Sequence, residues 1–344
     1  MSPVDLRSDT LTHPTESMRQ AMARAEVGDD VFDEDPTVHH LQEKAANLMG
    51  KEAALFVPSG TMGNLVSLLT HCSRGEEILL GDRSHIFLNE VGGIAALGGI
   101  HPRTVPNHKD GTLPLDWLEK GIRGGDIHYP PTRLIALENT HNYCQGSPLS
   151  LEYMEAVSSL ARKYSLRIHV DGARIFNAAV SLKVPASQLV RHADSVMFCL
   201  SKGLSAPVGS LICGTQEFIG RARKIRKMVG GGMRQAGHLA AAGMVALDEQ
   251  LPRLETDHLH AQKLACGLAS INTLRLNVDE IKTNIIFFEL HHPGMAPEQF
   301  LEALEARGVK MLITGQRTFR AVLHREITSD QVDYALRTIQ TLLK

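Results

Sequence analysis

The chain has 344 residues, of which 43% are hydrophobic and 22% charged, with a formal net charge of −2. This is the profile of a globular protein long enough for two domains and a large core, with no global field to favour nucleic acid or a membrane surface. Five cysteines without a Cys-x-x-Cys pair, no apolar run approaching the ~18 residues of a membrane span, and an opening MSPVDLRSDTLTHP without a basic-then-apolar leader together read as a cytoplasmic protein.

In chain order, residues 1–15, with the polar DLRSDT, read as an N-terminal arm. Apolar, strand-like runs follow at Ala53–Val57, Ile78–Leu80, Leu134–Leu137, Leu166–Val170, Ser195–Cys199 and Ser210–Cys213. Helix-period segments separate several of them. In Leu151–Tyr164, for example, Leu151, Met154, Val157, Leu160, Ala161 and Tyr164 draw one apolar stripe. Strand–helix–strand alternation predicts an α/β fold over residues 16–247, a mainly parallel sheet flanked by helices. The linker LSKGLSAPVG between the last two runs is too short for a helical crossover, so that pair should be antiparallel and the sheet mixed. Residues 248–344 read as a smaller C-terminal α+β domain. It has an amphipathic segment at Leu251–Leu268, short strands around Ile285–Leu290 and Arg320–Leu323, and a closing helix from Ser329. The cluster Arg221, Arg223, Lys224, Arg226, Lys227 reads first as a solvated helix face.

Chemistry-bearing residues gather at strand ends. Lys202 follows the run SVMFCL, where its amine can enter a cleft beyond the carboxyl edge of the sheet. A Schiff base to pyridoxal phosphate needs such an amine. Asp171, in HVDGAR, stands past another buried run about one helical excursion earlier, and a carboxylate there keeps a pyridine nitrogen protonated. In FVPSGTMGN, Gly60 allows close approach and Thr61 opens a helix whose free N–H groups suit a phosphate. His85 and His141 also follow strands; the first could stack on a flat ring. Taken singly, each feature has an ordinary explanation: a surface lysine, a helix-start aspartate, an N-cap, two of 17 histidines. Their convergence on one edge favours the chemical reading. No ligand spacing suggests a metal site.

DLRSDT, VGDD with DPTV, the SGT loop with Asn64, LENTHN, HVDGARIFNA, CLSKGL with PVGS, and RKMVGGGMRQ together resemble the low-specificity L-threonine aldolases. That is a branch of the fold-type I, aspartate aminotransferase-like, pyridoxal-phosphate enzymes, and the resemblance thins after about Gln250. It implies cleavage of L-threonine and L-allo-threonine to glycine and acetaldehyde, with a place in threonine breakdown and glycine formation. By resemblance, Lys202 binds the cofactor covalently, Asp171 meets its ring nitrogen, His85 stacks on the ring, Gly60 and Thr61 hold the phosphate, and His141 approaches the substrate hydroxyl. Ser8, Arg174 and Arg320 match carboxylate-binding positions, Arg174 also standing at the cofactor. Lys227 and Arg234 match positions that reach a neighbouring subunit's cofactor, which implies a homodimer or homotetramer with shared sites. Phe32 stands where many relatives carry tyrosine, and NYCQG from Asn142 is unusual. A serine hydroxymethyltransferase-like or β-eliminating activity, a sugar- or nucleotide-binding α/β protein without the cofactor, and an inactive scaffold are the alternatives.

Overall fold

A computed structural model describes residues 3–344. Its first strands are β1 (Val4–Asp5), β2 (Ala53–Val57), β3 (Glu77–Gly81), β4 (His101–Val105), β5 (Thr132–Glu138), β6 (Arg167–Asp171), β7 (Ser195–Cys199) and β8 (Ser210–Gly214). The C-terminal ones are β9 (Leu274–Arg275), β10 (Ile285–Leu290), β11 (Val309–Lys310), β12 (Leu312–Ile313) and β13 (Thr318–Val322).

The main sheet has the order β2-β8-β7-β6-β5-β3-β4. β4, β3, β5, β6 and β7 pair in parallel, while β8 pairs antiparallel with both β7 and β2. β2 therefore runs with the parallel set and only β8 is reversed, so six strands send their carboxyl ends to one edge. Helices cover both faces, which is why the inner strands are near-continuous apolar runs. The antiparallel β7–β8 pair matches the expectation from its short linker. β4 escaped the sequence reading because HPRTV is a half-exposed edge strand with no apolar alternation, a place where Pro102 costs no ladder bond.

The segment Leu151–Lys163 is helical, with Met154, Val157 and Ala161 buried. Tyr164 caps it and is exposed, so the apolar stripe ends at Ala161. In the C-terminal part, a π-helical turn over Ala246–Gln250 precedes the helix Leu254–Ala269, which starts three residues later than its apolar pattern suggested. A four-stranded antiparallel sheet, β12-β13-β10-β9, packs with this helix and with the closing helix Ser329–Leu342. β1 of the arm pairs in parallel with β11, and Val4 and Leu6 join the C-terminal hydrophobic cluster. Further along the arm, Thr12 Oγ1 donates to the Lys202 carbonyl at 2.9 Å.

The basic helix Gln216–Met228 corrects the solvated-face reading. Arg226 is 2% exposed, pairs with Asp30 at 2.7 Å and donates to the Phe56 carbonyl at 2.6 Å. Arg223 holds Asp33 and the Asp30 carbonyl, both at 2.5 Å. Two of the five residues of that cluster therefore pin the 29–33 loop.

Candidate active site

Five of the residues expected at the carboxyl edge line one cavity of about 150 Å³: Gly60, Thr61, His85, Asp171 and Lys202, with Asn64 and Glu90 between them. Clefts of about 420, 520 and 530 Å³ lie elsewhere on the surface, but their linings bring together no such set of groups. Chemistry, not size, marks the site.

β2 leads into the helix Gly60–His71, whose first-turn N–H groups have no partner inside the helix. Ser59 satisfies one of them, its Oγ accepting from Met62 N at 3.2 Å, while its carbonyl takes the first regular helix bond from Gly63 N at 3.0 Å. The N–H groups of Gly60 and Thr61 are left for an anion. A side chain at residue 60 would put its Cβ 2.8 Å from Cys199 Sγ, so close packing of helix on strand requires glycine there. Lys202 is half-buried, and its ammonium has no hydrogen-bond or ion-pair partner among the described residues. Asp171, 1% exposed, accepts from Asn64 Nδ2 at 2.9 Å and from Ala173 N at 3.1 Å.

His85 donates or accepts through Nδ1 to Glu90 Oε1 at 2.8 Å, leaving Nε2 free, and Asn64 Nδ2 also reaches Glu90 at 2.7 Å. Burial opposes a charged His85 ring, yet the Glu90 hydrogen bond and the Asp171 charge outweigh it and hold its pKa above the ordinary value. Burial, with Asp171 nearby, pushes the Glu90 carboxyl up. Ligand atoms of His85, Glu90 and Asp171 fall within 4.8 Å of one another, close enough to hold a metal ion. Residue spacing gave no sign of this cluster, because its members come from three elements.

A second cluster adjoins the first through Glu138, which accepts from His85 N at 2.6 Å and from Asn142 N at 2.7 Å. Here Arg174 grips Asp9 with two 2.7 Å bonds. Burial works against ionisation of Asp9, but the Arg174 charge and hydrogen bonds hold it well below the usual carboxylate range. Arg320 donates to Asn142 Oδ1 at 2.8 Å, and Arg174 reaches the same oxygen at 3.4 Å. Arg320 Nε is buried without a partner; burial, with Arg174 alongside, lowers this guanidinium to about 10. Arg174 takes both oxygens of Asp9, so Arg320 has no carboxylate bonded to it. Ser8 caps the short 3₁₀ turn Asp9–Leu11, its Oγ accepting from Thr10 N at 3.2 Å.

Three expected residues belong neither to the cavity lining nor to this second cluster. His141 is 1% exposed and packs under Gly111, with neither ring nitrogen partnered. Lys227 and Arg234 are exposed beside the 29–33 loop, Arg234 pairing with Asp29 at 2.8 Å. Sequence reasoning missed Asp9, Glu90 and Glu138. Asp9 sat unread inside the DLRSDT motif, next to Ser8; the other two meet their partners only through the fold.

The architecture is that of the aspartate aminotransferase-like enzymes. An aspartate aminotransferase from Rhodobacter sphaeroides superposes with a TM-score of 0.76 at 17% identity, covering 100% of this chain and 93% of that one. A Leishmania major threonine aldolase gives 0.84 at 19% identity, over 99% and 100% of the two chains. In sequence, the beta-eliminating lyase family model matches residues 5–291. A probable low-specificity L-threonine aldolase 2 of Arabidopsis thaliana is 52% identical over 345 residues, 98% of this chain and 97% of that protein. The chain belongs to the beta-eliminating lyase family and, within it, to the low-specificity L-threonine aldolases.

Proposed function

We propose that the protein is a pyridoxal-phosphate lyase that cleaves L-threonine and L-allo-threonine to glycine and acetaldehyde. The observation that carries this reading is the single cavity joining an unpaired Lys202 amine, the Asp171 carboxylate, the His85 ring and two free helix N–H groups. Each suits one part of the cofactor: amine for aldehyde, carboxylate for ring nitrogen, imidazole for ring face, N–H groups for phosphate. When bound, pyridoxal phosphate supplies an aldehyde that condenses with amines and a ring that takes up the electron pair left when a bond at Cα breaks.

The protein's own residues orient and exchange protons. Arg174 and Arg320 bind the substrate carboxylate, which gives Arg320 the carboxylate it lacks, and Ser8 stands beside them. The substrate hydroxyl must lose its proton as the Cα–Cβ bond breaks, and two groups can take it: Nε2 of His85 or an unpartnered ring nitrogen of His141. Lys227 and Arg234 act on a neighbouring subunit's cofactor in a homodimer or homotetramer. Support comes from their exposure and from Val91, 97% exposed beside half-exposed Phe87 and Leu88 next to His85. Five unpaired cysteines support a cytoplasmic setting, and no described helix is long and apolar enough to cross a membrane. We take 1–15 as an arm, 16–247 as a large domain and 248–344 as a small one; support comes from a separate hydrophobic cluster that, apart from Val4 and Leu6 of the arm, runs from Ala261 to Leu343.

The test is a visible spectrum of purified protein incubated with pyridoxal phosphate, wild type beside Lys202→Ala, followed by acetaldehyde release from L-allo-threonine. Wild type should show a cofactor band and release acetaldehyde, and the variant should do neither. A keto acid and ammonia in place of acetaldehyde would shift the reading to β-elimination, which the family model also spans. Absence of any band would overturn the proposal.

A further inference from the structure

Behind Asp171 runs a buried chain of side chains that the proposed reaction does not touch. His169 precedes Asp171 by two residues on β6, so the pleat puts both on one face. The helix Gly60–His71 meets that face with Asn64 and His71, about two turns apart and hence on one side of the helix. Ser195 lies opposite His169 in the β6–β7 ladder. The links are Asn64 Oδ1 to His169 Nε2 at 3.1 Å, His169 Nδ1 to Ser195 Oγ at 2.8 Å, and Ser195 Oγ to His71 Nε2 at 2.8 Å.

Donor and acceptor roles along this chain follow from its end. An ionised Asp171 can only accept, so the nitrogen of Asn64 faces it and the amide oxygen faces His169. His169 must then carry its proton on Nε2 and accept from the Ser195 hydroxyl through Nδ1. Ser195 in turn accepts from His71. Burial lowers the His169 pKa to about 4, which keeps the ring in the neutral form this order requires. With the Asn64 amide reversed, its oxygen would oppose a carboxylate oxygen at 2.9 Å, lone pair against lone pair.

The geometry points to His169 as a positioning residue for the cofactor's ring nitrogen: by donating to the Asn64 oxygen it locks the amide N–H onto Asp171, and so fixes that carboxylate where the ring nitrogen needs it. This rests on the pyridoxal-phosphate reading above. The role belongs to one hydrogen at Nε2, not to the bulk of the ring. Glutamine places an amide N–H near the position of Nε2, whereas asparagine reaches only as far as Nδ1.

The experiment compares binding of two probes to wild type, His169→Gln, His169→Asn and Ser195→Ala. The probes are pyridoxal phosphate and its analogue with carbon in place of the ring nitrogen, with dissociation constants from equilibrium dialysis. Wild type should prefer the natural cofactor. In His169→Asn that preference should fall about ten-fold, the worth of one hydrogen bond to a charged group, and His169→Gln should keep it within about two-fold. Ser195→Ala lets the His169 proton move to Nδ1 and should lower the preference about three-fold; it decides the question alone if His169→Asn does not fold. Loss of affinity for both probes alike, or equal behaviour of the two His169 variants, would reduce His169 to packing and overturn the inference. Failure of wild type to bind either probe would instead sink the cofactor reading.

Discussion

Arginine is buried in two regions of this protein, and the two differ in how its charge is met. Under the 29–33 loop, Arg226 has a carboxylate of its own, Asp30, and a backbone carbonyl. Beside the cavity, Arg174 takes both bonds to Asp9, and Arg320 donates only to the Asn142 amide oxygen and the Arg7 carbonyl. The first arrangement is electrically complete and fixes a loop. In the second, Arg320 has no carboxylate bonded to it, and in the proposed function a substrate carboxylate takes that place. The two regions differ in whether each buried guanidinium has a carboxylate bonded to it, not in how many of its N–H groups are partnered.

Three variants test that contrast. Arg226→Leu leaves Asp30 buried and unpaired, which should cost about 3–5 kcal/mol in denaturant unfolding. Adding Asp30→Leu should restore most of it; no recovery would mean that the carbonyl bond or packing, not the charge, holds the loop. Arg320→Leu should lower kcat/KM for acetaldehyde release by about 10²–10³, or roughly 3–4 kcal/mol, with Tm changed by only a few degrees. A large drop in Tm with normal turnover would place Arg320 with Arg226 as a structural residue. The smallest effect concerns a buried group kept neutral. Burial, helped by His169, lowers His71 to about 3, against an unfolded value near 6.5. The unfolded chain then binds the extra proton, so the stability His71 contributes is present above pH 6.5 and is lost as pH falls toward 3. His71→Gln should flatten the fall of Tm between pH 6.5 and 4, and an unchanged slope would show that other groups govern acid unfolding.

Elements that were apolar on both faces were legible in the sequence. β7 and β10 occupy the expected Ser195–Cys199 and Ile285–Leu290, and the closing helix starts at the expected Ser329, where Thr328 caps it. The two-residue strands β1 and β11 carry no period to read, and β4 is a polar edge. The site divides in the same way. Lys202, Asp171, Gly60, Thr61 and His85 were visible because each follows a strand whose end the sequence marks. Asp9, Glu90 and the His169–Ser195–His71 chain were not, because the meaning of each depends on a partner from another element. Arg226 was misread for that reason: helical periodicity orders charges along a face but says nothing of what lies opposite it.

The arm joins the first residues of the chain to some of the last. Leu6 accepts from Val322 N and donates to the Lys310 carbonyl, His324 reaches the Asp5 carbonyl at 2.9 Å, and Thr12 bonds Lys202. On a ribosome this segment emerges long before its partners at residues 308–326, and it docks only once they have been made. Asp9 belongs to the same segment, so the carboxylate that Arg174 grips takes its place only after residues 308–326 have emerged. A nascent chain can assemble the main sheet before then, but it closes the Asp9–Arg174 pair beside the cavity only afterwards.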